Sequence, residues 1–435
     1  MRDTKWEFIP FSFYDRSGME AHLEGMAARG WFLERISPFG WFYRAGPPKA
    51  VRYGISFFPG ATDFDPGPTE AEADFRDFCR HSGWELAAST AQYQVFRNFR
   101  ENPVPLETDP TTELRAIGRA AKKALPVLWI LLGLGLWLGG SWCYSLFHDP
   151  IGLLSSPAYL FTGLCWLCLG VYALAELAGY LSWRRRAKAA AERGEFVPTH
   201  GHHRLLLGLV GLMLLSLAGW AILERMPGMR FLFLGFLLVF ALLLLLQNAV
   251  RSRLRRRGAS ARVNRAATLG STPLFSTVLL AAVFLLFLQG IRSGPFSAEA
   301  LLTPPVAVEE LTGIEDSRYI HGANAGSSAL LTRQEFHQWV REDETCPELE
   351  LTVVDVHVPG LYELCLRQLL GGGGVSSDPA PWGANAVYML PPGADGAQGW
   401  VLCWDGRLAA LAVNWNLTAE QMATAGSALA PAAQS

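Results

Sequence analysis

The sequence lacks the short motifs that mark enzyme active sites. No nucleophile and base stand at a recognisable spacing, and the one glycine run, at residues 371–374, continues as Val-Ser-Ser-Asp-Pro. A phosphate-binding loop would need a Lys-Ser/Thr pair and a helix start after the glycines. We therefore predict a flexible loop at this run, no cofactor or metal site, and no enzymatic activity.

We also expect no secretory signal peptide. The chain begins MRDTKWEFIP, which has no apolar core that a signal peptidase substrate would need. We expect the first long apolar run to act as its own membrane-insertion signal.

Apolar runs, in contrast, are abundant. Five of them fall between residues 124 and 291, each near or above the roughly 20 residues with which a helix crosses about 30 Å of hydrocarbon. They are continuous and Leu-rich, without the alternation of barrel strands, and so they predict transmembrane helices. The predicted spans are residues 124–147, 156–181, 205–223, 231–250 and 272–291.

Basic residues surround these runs unevenly. The predicted basic linker 106–123 and the loops after the second and fourth spans hold 17 Lys or Arg residues, whereas loop 148–155 holds none and turn 224–230 holds two. Because Lys and Arg resist translocation, the basic side should be cytoplasmic. Residues 293–435 agree, with five Arg, no Lys and 17 acidic residues. We predict a multi-pass protein of the cell membrane with a cytoplasmic N-terminus and an extracytoplasmic C-terminus.

Residues 1–105 contain a repeat with an offset of 53 residues. Gly30-Trp31 aligns with Gly83-Trp84, and Tyr43-Arg44 aligns with Phe96-Arg97. Each copy is predicted to be β-α-β-β, with a glycine in the left-handed cap after each helix. We expect both copies to share one sheet with two helices on one face. The predicted leading strands are 6–13 and 51–58 and the helices 17–29 and 70–81, the second burying Phe75, Phe78 and Cys79.

Several of these residues carry a family resemblance. Phe13-Tyr14-Asp15, both Gly-Trp pairs and the ending Tyr93-Gln-Val-Phe-Arg97 resemble a bacterial domain of unknown function, family number 2812. The resemblance covers about the first 105 residues. It implies an N-terminal cytoplasmic module on a multi-span membrane protein, often encoded near transcriptional regulators of the PadR type. It implies a regulatory setting and no catalytic residues.

Three tryptophans of this domain, Trp31, Trp41 and Trp84, are candidates for a partner-binding surface. The alternative is that they fill the core of a small sheet, as large apolar residues usually do. We favour the core and keep the partner surface as a hypothesis.

The C-terminal region is predicted to be a stalk over 292–329 and an α+β extracytoplasmic domain over 330–435. The predicted helices are 330–342 with Thr332 as N-cap, 361–370, and 418–429 with Thr418 as N-cap. The predicted strands are 349–358, 386–390, 399–404 and 407–414, the last two flanking an Asp405-Gly406 hairpin turn. Cys346, Cys365 and Cys403 allow at most one disulfide, and its existence stays open.

Glu176 is the one acidic residue inside a predicted span. An intramembrane carboxylate is a functional candidate in proton coupling or a polar pathway. Alternatively it reaches the interface or pairs with residues 184–186. His200, His202 and His203 could bind zinc, but no Cys or carboxylate adjoins them, so we expect an interfacial polar turn.

The whole arrangement predicts an integral membrane α-helical protein with a domain on each side. We expect a sensor or regulatory scaffold that links the extracytoplasmic domain to a cytoplasmic protein partner; the alternative is a transporter or a subunit of a transport system. The lipid bilayer is the expected partner of the arginine-rich loops, and no nucleic acid is expected. Gly135-x-x-x-Gly139 could seat a close helix contact, which leaves homo-oligomerisation open.

Overall fold

The computed structural model describes residues 3–37, 40–57, 64–65, 67–90, 93–224, 227–292, 303–314, 318–340, 346–393 and 397–431. The chain divides into two compact units. The first comprises Met1–Leu138, Trp166–Leu214 and Leu237–Ala281, and we call it the N-terminal unit. The second comprises Gly139–Cys165, Leu215–Phe236 and Ala282–Ser435, and we call it the C-terminal unit.

The N-terminal domain consists of two copies of a β-α-β-β motif. The first copy has β1 (Thr4–Glu7), α1 (Arg16–Ala28), β2 (Trp31–Ser37) and β3 (Gly40–Ala45); the second has β4 (Arg52–Phe57), α2 (Glu70–His81), β5 (Glu85–Ser89) and β6 (Tyr93–Asn98). The ladders form two antiparallel three-stranded sheets of order β1-β3-β2 and β4-β6-β5. The expectation of one shared sheet is therefore wrong, although β2 and β5 contact each other.

The duplication extends to details of the backbone. Gly30 and Gly83 follow the two helices with φ of 82° and 87°, a region that favours glycine, as the predicted caps require. Each copy also has a bulge at the same place, between Leu33 and Arg35 in the first and between Leu86 and Ala88 in the second. The offset of 53 residues thus relates two structural repeats.

Two local predictions for this domain are wrong. The first strand ends at Glu7 instead of continuing to residue 13, and Pro10 in that stretch has no N–H to donate to a ladder. Phe78 is 66% exposed, whereas Cys79 is buried and Phe75 packs edge-on against Phe96 with 5.9 Å between ring centroids. Positions four apart on α2 face inward, and Phe78 lies beside that stripe.

The middle of the chain is helical: α3 (Pro110–Leu134), a π-helical turn (Gly135–Gly139), α4 (Gly140–His148), α5 (Pro150–Ser155), α6 (Pro157–Ala191), α7 (His203–Leu223), α8 (Pro227–Arg256) and α9 (Ala261–Arg292). Among the described residues, five helices are long and apolar enough to cross a membrane: Pro110–His148, Pro157–Ala191, His203–Leu223, Phe233–Arg256 and Ala261–Leu286. The prediction of five helices with the length and apolar composition of membrane spans is thus confirmed. The basic linker, however, is the first part of α3, which Asp109 caps through its side chain.

The C-terminal domain has α10 (Val308–Thr312), β7 (Tyr319–Ser327), β8 (Leu331–Val340), β9 (Leu349–Val356), α11 (Tyr362–Leu370), β10 (Val375–Ser377), β11 (Ala386–Leu390), β12 (Gln398–Trp404), β13 (Arg407–Val413) and α12 (Ala419–Leu429). Its strands form one antiparallel sheet of order β10-β11-β12-β13-β9-β8-β7. The two central strands β9 and β13 bury apolar side chains on both faces.

Most predicted elements of this domain are confirmed. The last helix has Thr418 as N-cap in a capping box with Gln421, and the last hairpin turns at Gly406 with φ of 78°. Gly371 and Gly372 both have positive φ in the predicted loop. The thiols of Cys365 and Cys403 are free and buried, so no two of the three cysteines of this domain pair with each other.

Two predictions fail at the start of the domain. Residues 331–340 form strand β8 instead of a helix, and Thr332 pairs with Asp355 of β9 instead of capping. Residues 319–327, predicted as stalk, form edge strand β7, which pairs along its whole length with β8. The rest of the predicted stalk is described at 292, 303–314, 318 and 328–329, whereas residues 293–302 and 315–317 lie outside the described residues.

Candidate functional site in the N-terminal unit

The hydrophobic core of the N-terminal domain continues onto two of the long helices. Ala116, Ile117 and Ala121 of α3 and Tyr180, Trp183 and Ala187 of α6 are buried in the same cluster as Met19, Leu23 and Tyr43. The domain and these helices therefore share one hydrophobic core, and close-packed interiors transmit small displacements.

Aromatic residues make the contact with α6. The segment between β1 and α1 places Phe13 5.3 Å and Tyr14 5.8 Å from Tyr180, measured between ring centroids, and Tyr14 also lies 6.0 Å from Trp183. These separations are typical of stabilising aromatic pairs. The segment that was predicted to extend the first strand is therefore the part of the domain that docks onto α6.

Glu176 lies in this contact and is 1% exposed. Its Oε1 accepts a hydrogen bond from Ser12 Oγ at 2.6 Å, and the Phe13 backbone N–H also donates to the carboxylate. Among the described residues, its hydrogen-bond donors thus come from the N-terminal domain and not from residues 184–186. The alternative that Glu176 pairs with those arginines is therefore not borne out among the described residues, because residues far away in sequence cover the carboxylate.

The segment before α7 closes over the same contact. Ser17 and Thr199 exchange hydrogen bonds of 2.8 and 3.2 Å between backbone N–H groups and side-chain oxygens. Tyr14 Oη donates to the His200 carbonyl at 3.3 Å, and the His202 N–H donates to Ser12 Oγ at 3.4 Å. The predicted polar turn at these histidines is therefore part of the attachment between domain and helices.

A charged cluster joins α1 to α3. Arg16 lies 2.9 Å from Glu113 and 3.3 Å from Glu20. Burial raises the pKa of Glu20 to about 7, although Arg16 and a hydrogen bond from the Ile55 N–H oppose the shift. One arginine thus forms ion pairs with two carboxylates, one from α1 and one from α3.

Beside this attachment the domain has a cleft of about 790 Å³, which we call the N-terminal cleft. The first copy lines it with residues 8–11, Phe13 and Trp41, the second copy with Glu72, Arg76 and Tyr93, and α8 with Arg251 and Arg255. Both copies of the repeat and one of the long helices therefore line the same cavity. Its size is in the range of sites for small molecules or short peptide segments.

The charges in the cleft come from two sources. Within the domain, Arg76 forms a 2.7 Å ion pair with Glu72, whose carboxylate also accepts a hydrogen bond from Gln94 at 2.8 Å. Arg255 of α8 is exposed. Asp65 adds a further carboxylate to the lining. The aromatic lining residues and the exposed Arg255 together suit a ligand with an apolar part and an anionic group.

The predicted tryptophans are not equivalent. Trp41 and Trp84 are 4% and 5% exposed, which supports the core interpretation for both, although an edge of Trp41 lines the cleft. Trp84 fills a small separate core with Phe96 and donates from Nε1 to the Val104 carbonyl at 2.8 Å. Trp31 is half-buried at the edge of the main core.

Sequence reasoning missed Ser12 and Arg255. Ser12 is 164 positions from Glu176, and no local pattern connects the two. Arg255 belongs to an arginine-rich stretch whose members differ in role only through the side of α8 on which they lie.

The fold and this site define a class: a helical protein with five candidate membrane spans and a duplicated α+β domain built onto them. The family model described as protein of unknown function (DUF2812) matches residues 15–129, which confirms the resemblance of the N-terminal domain. The match ends inside α3, so it includes the start of the first candidate span. No curated protein and no solved structure is significantly similar to the chain.

Proposed function

We propose that the protein is a membrane-embedded, non-enzymatic sensor or regulatory scaffold of the cell membrane. Its C-terminal domain would lie outside and detect a ligand or envelope state, and its N-terminal domain would lie in the cytoplasm and bind a protein partner. Signalling would pass through the helices that join the two.

The division of the loops between the two units supports this orientation. All three basic segments, around residues 115–123, 184–204 and 251–265, belong to the N-terminal unit. The loops poor in Lys and Arg, 148–155 and 224–230, belong to the C-terminal unit. In that unit α5 packs on the C-terminal domain, where the Ile151 N–H donates to Gln368 Oε1 at 2.7 Å. Basic loops are retained in the cytoplasm. The N-terminal domain belongs to the same unit as the basic loops, and the C-terminal domain to the same unit as the loops poor in Lys and Arg, as the proposed orientation requires.

The N-terminal cleft carries the functional part of the proposal. An occupant would contact the soluble domain and α8 at once, so that a shift of α8 would change the shape of the cleft. The attachment through Ser12, Glu176 and Thr199 fixes the domain against α6 and gives such a shift a rigid reference. Coupling of this kind needs an element that both sites bias, and α8 is the candidate.

The transporter alternative receives less support. It relied on Glu176 as the polar group of a pathway, and this carboxylate is occupied by Ser12 and Phe13 of the N-terminal domain. A buried carboxylate with two donors is a fixed anchor, which suits attachment better than proton exchange.

Charge reversal at one arginine tests the proposal. Tagged full-length protein at native abundance would be captured from membranes as wild type, Arg255→Glu and Arg253→Glu. Both arginines are exposed on α8, but only Arg255 lines the cleft. We expect Arg255→Glu to lose at least about tenfold of the captured cytoplasmic partner, as for loss of a central charged contact, while Arg253→Glu retains it.

The captured partner must then bind the three purified proteins, and their affinities must rank in the same order as in the capture experiment. Equal capture by all three proteins would reject the cleft as the partner site. If Arg255→Glu changed the transport of a solute but kept the captured partner, that result would favour the transporter instead.

A further inference from the structure

A second cluster of functional side chains lies on the C-terminal domain, far along the chain from the cleft. β8 and β9 are antiparallel, and their register places His337 directly opposite Glu350. Glu348 stands directly before the first residue of β9, and its carboxylate reaches the same point as that of Glu350. The strand pairing therefore brings one imidazole and two carboxylates to one point.

The three groups converge closely. His337 Nε2 lies 2.5 Å from Glu348 Oε1 and 3.8 Å from Glu350 Oε1, and all three potential ligand atoms lie within 4.8 Å of one another. Two neighbours hold the cluster in place. The His337 ring stacks on Trp339 at 4.3 Å with an interplanar angle of 21°, and the Glu348 N–H donates to Asn414 Oδ1 at 2.8 Å.

We propose that His337, Glu348 and Glu350 form a binding site for a divalent transition-metal ion, with zinc as the best match. Zinc binds imidazole nitrogen and carboxylate oxygen at about 2.0–2.2 Å, and tetrahedral coordination then separates the ligand atoms by roughly 3.3 Å. The observed separations of 2.5 and 3.8 Å bracket this value. Side chains that reach solvent can make the remaining sub-ångström adjustment.

The donor set also selects the class of ion. Calcium and magnesium prefer sites built from oxygen alone, whereas an imidazole with carboxylates suits zinc, manganese or iron. A cation would also remove the repulsion between two carboxylates that share one imidazole. Three protein ligands leave a fourth position open for water or a ligand from outside. The site concerns the C-terminal domain alone and stands independently of the proposed function.

Metal binding by the full-length protein in detergent tests the site. After treatment with EDTA and removal of the chelator, zinc binding would be measured by calorimetry, and cobalt binding by its visible absorption spectrum. Wild type would be compared with His337→Gln, Glu350→Gln and the control Glu335→Gln. Glu335 lies two residues from His337, and so on the same face of β8, but outside the cluster.

We expect wild type and Glu335→Gln to bind one more zinc ion per chain than His337→Gln, which also lacks the cobalt spectrum of this site. Glu350→Gln should weaken binding at least about tenfold, since even outer-shell changes do so. Unchanged zinc stoichiometry and cobalt spectrum in His337→Gln would overturn the proposal, because any binding would then belong to other histidines. Absence of zinc binding by wild type would overturn it too, leaving an ordinary ion pair between His337 and Glu348.

Discussion

The half-buried Glu20 side chain should make the stability of the N-terminal unit sensitive to pH. Its Oε1 accepts the Ile55 backbone N–H at 2.9 Å, and burial raises its pKa to about 7 from the ordinary value of 4.5. Because the folded state binds the proton more tightly than the unfolded chain, the resulting stabilisation is fully present below about pH 4.5. It is lost as the pH rises through about 7.

Glu20→Gln keeps the oxygen that accepts the Ile55 N–H and removes the titration. We expect the variant to match wild type below about pH 4.5 and to be more stable by about 1–3 kcal/mol at pH 8, as a pKa shift of this size implies. Thermal unfolding in detergent across this pH range measures the difference. The control Glu34→Gln changes a carboxylate on an exposed strand position and should follow the wild-type curve. Parallel curves for wild type and Glu20→Gln would contradict the assignment.

At the scale of the helices, the π-helical turn that follows α3 approaches α6 closely where Gly135 meets Gly170. A Cβ added at Gly135 would lie 2.4 Å from the Gly170 Cα, a distance that real side chains do not tolerate. Nothing lies within 4 Å of a Cβ at Gly133, two residues earlier. The glycine at 135 is therefore used for a close contact inside the chain, instead of being left for the dimer contact that its spacing suggested.

Alanine substitutions at Gly135 and Gly133 are expected to change the stability of the protein in opposite directions. Gly135→Ala should push α3 and α6 apart and destabilise the protein by about 1–3 kcal/mol, as overpacking does. Gly133→Ala should be neutral or stabilising by up to about 1 kcal/mol, because alanine is the better helix former. Thermal unfolding of both variants in the same detergent measures the effects. Destabilisation by both substitutions alike would mean that backbone flexibility, and not the contact with Gly170, is what the glycines provide.

Strand β8 shows how a tertiary contact overrides a local signal. Thr332 and Glu335 have the spacing of a capping box, which predicts a helix. Yet Phe336, Gln338 and Val340 are all buried, an alternation with period two. The backbone N–H and C=O groups of β8 are hydrogen-bonded to β7 on one side and to β9 on the other. These hydrogen bonds come from residues outside the segment, so no property of residues 331–340 alone could have decided between helix and strand.

At the scale of the whole molecule, the proposed topology makes the two ends of the chain distinguishable. A phosphatase reporter, active only outside, should be active when fused after Ser435 and inactive when fused after Arg257. A fluorescent reporter that folds only in the cytoplasm should give the reverse pattern, since the proposed topology, with the five candidate spans all inserted, would place the two sites on opposite sides. Equal insertion of each fusion is checked by immunoblot of membranes. Fluorescence after Ser435 would refute an extracytoplasmic C-terminus.

The sequence by itself determined the features that depend on composition, spacing and repetition. The five apolar helices follow from run length, and the paired β-α-β-β copies follow from the repeat of 53 residues. The caps at Gly30, Gly83 and Thr418 follow from local backbone chemistry. Each of these signals is contained within a short stretch of chain or a comparison of two such stretches.

Only the tertiary structure decided which distant groups meet. It placed Ser12 on Glu176, Arg255 beside the cleft, and His337 opposite Glu350. It also separated the two copies into two sheets and made a strand of residues 319–327. The physical reason is common to all of these. A buried carboxylate or an edge strand must find a hydrogen-bond partner, and packing determines which group lies close enough to serve. That partner is often far away along the chain, so the local sequence does not identify it.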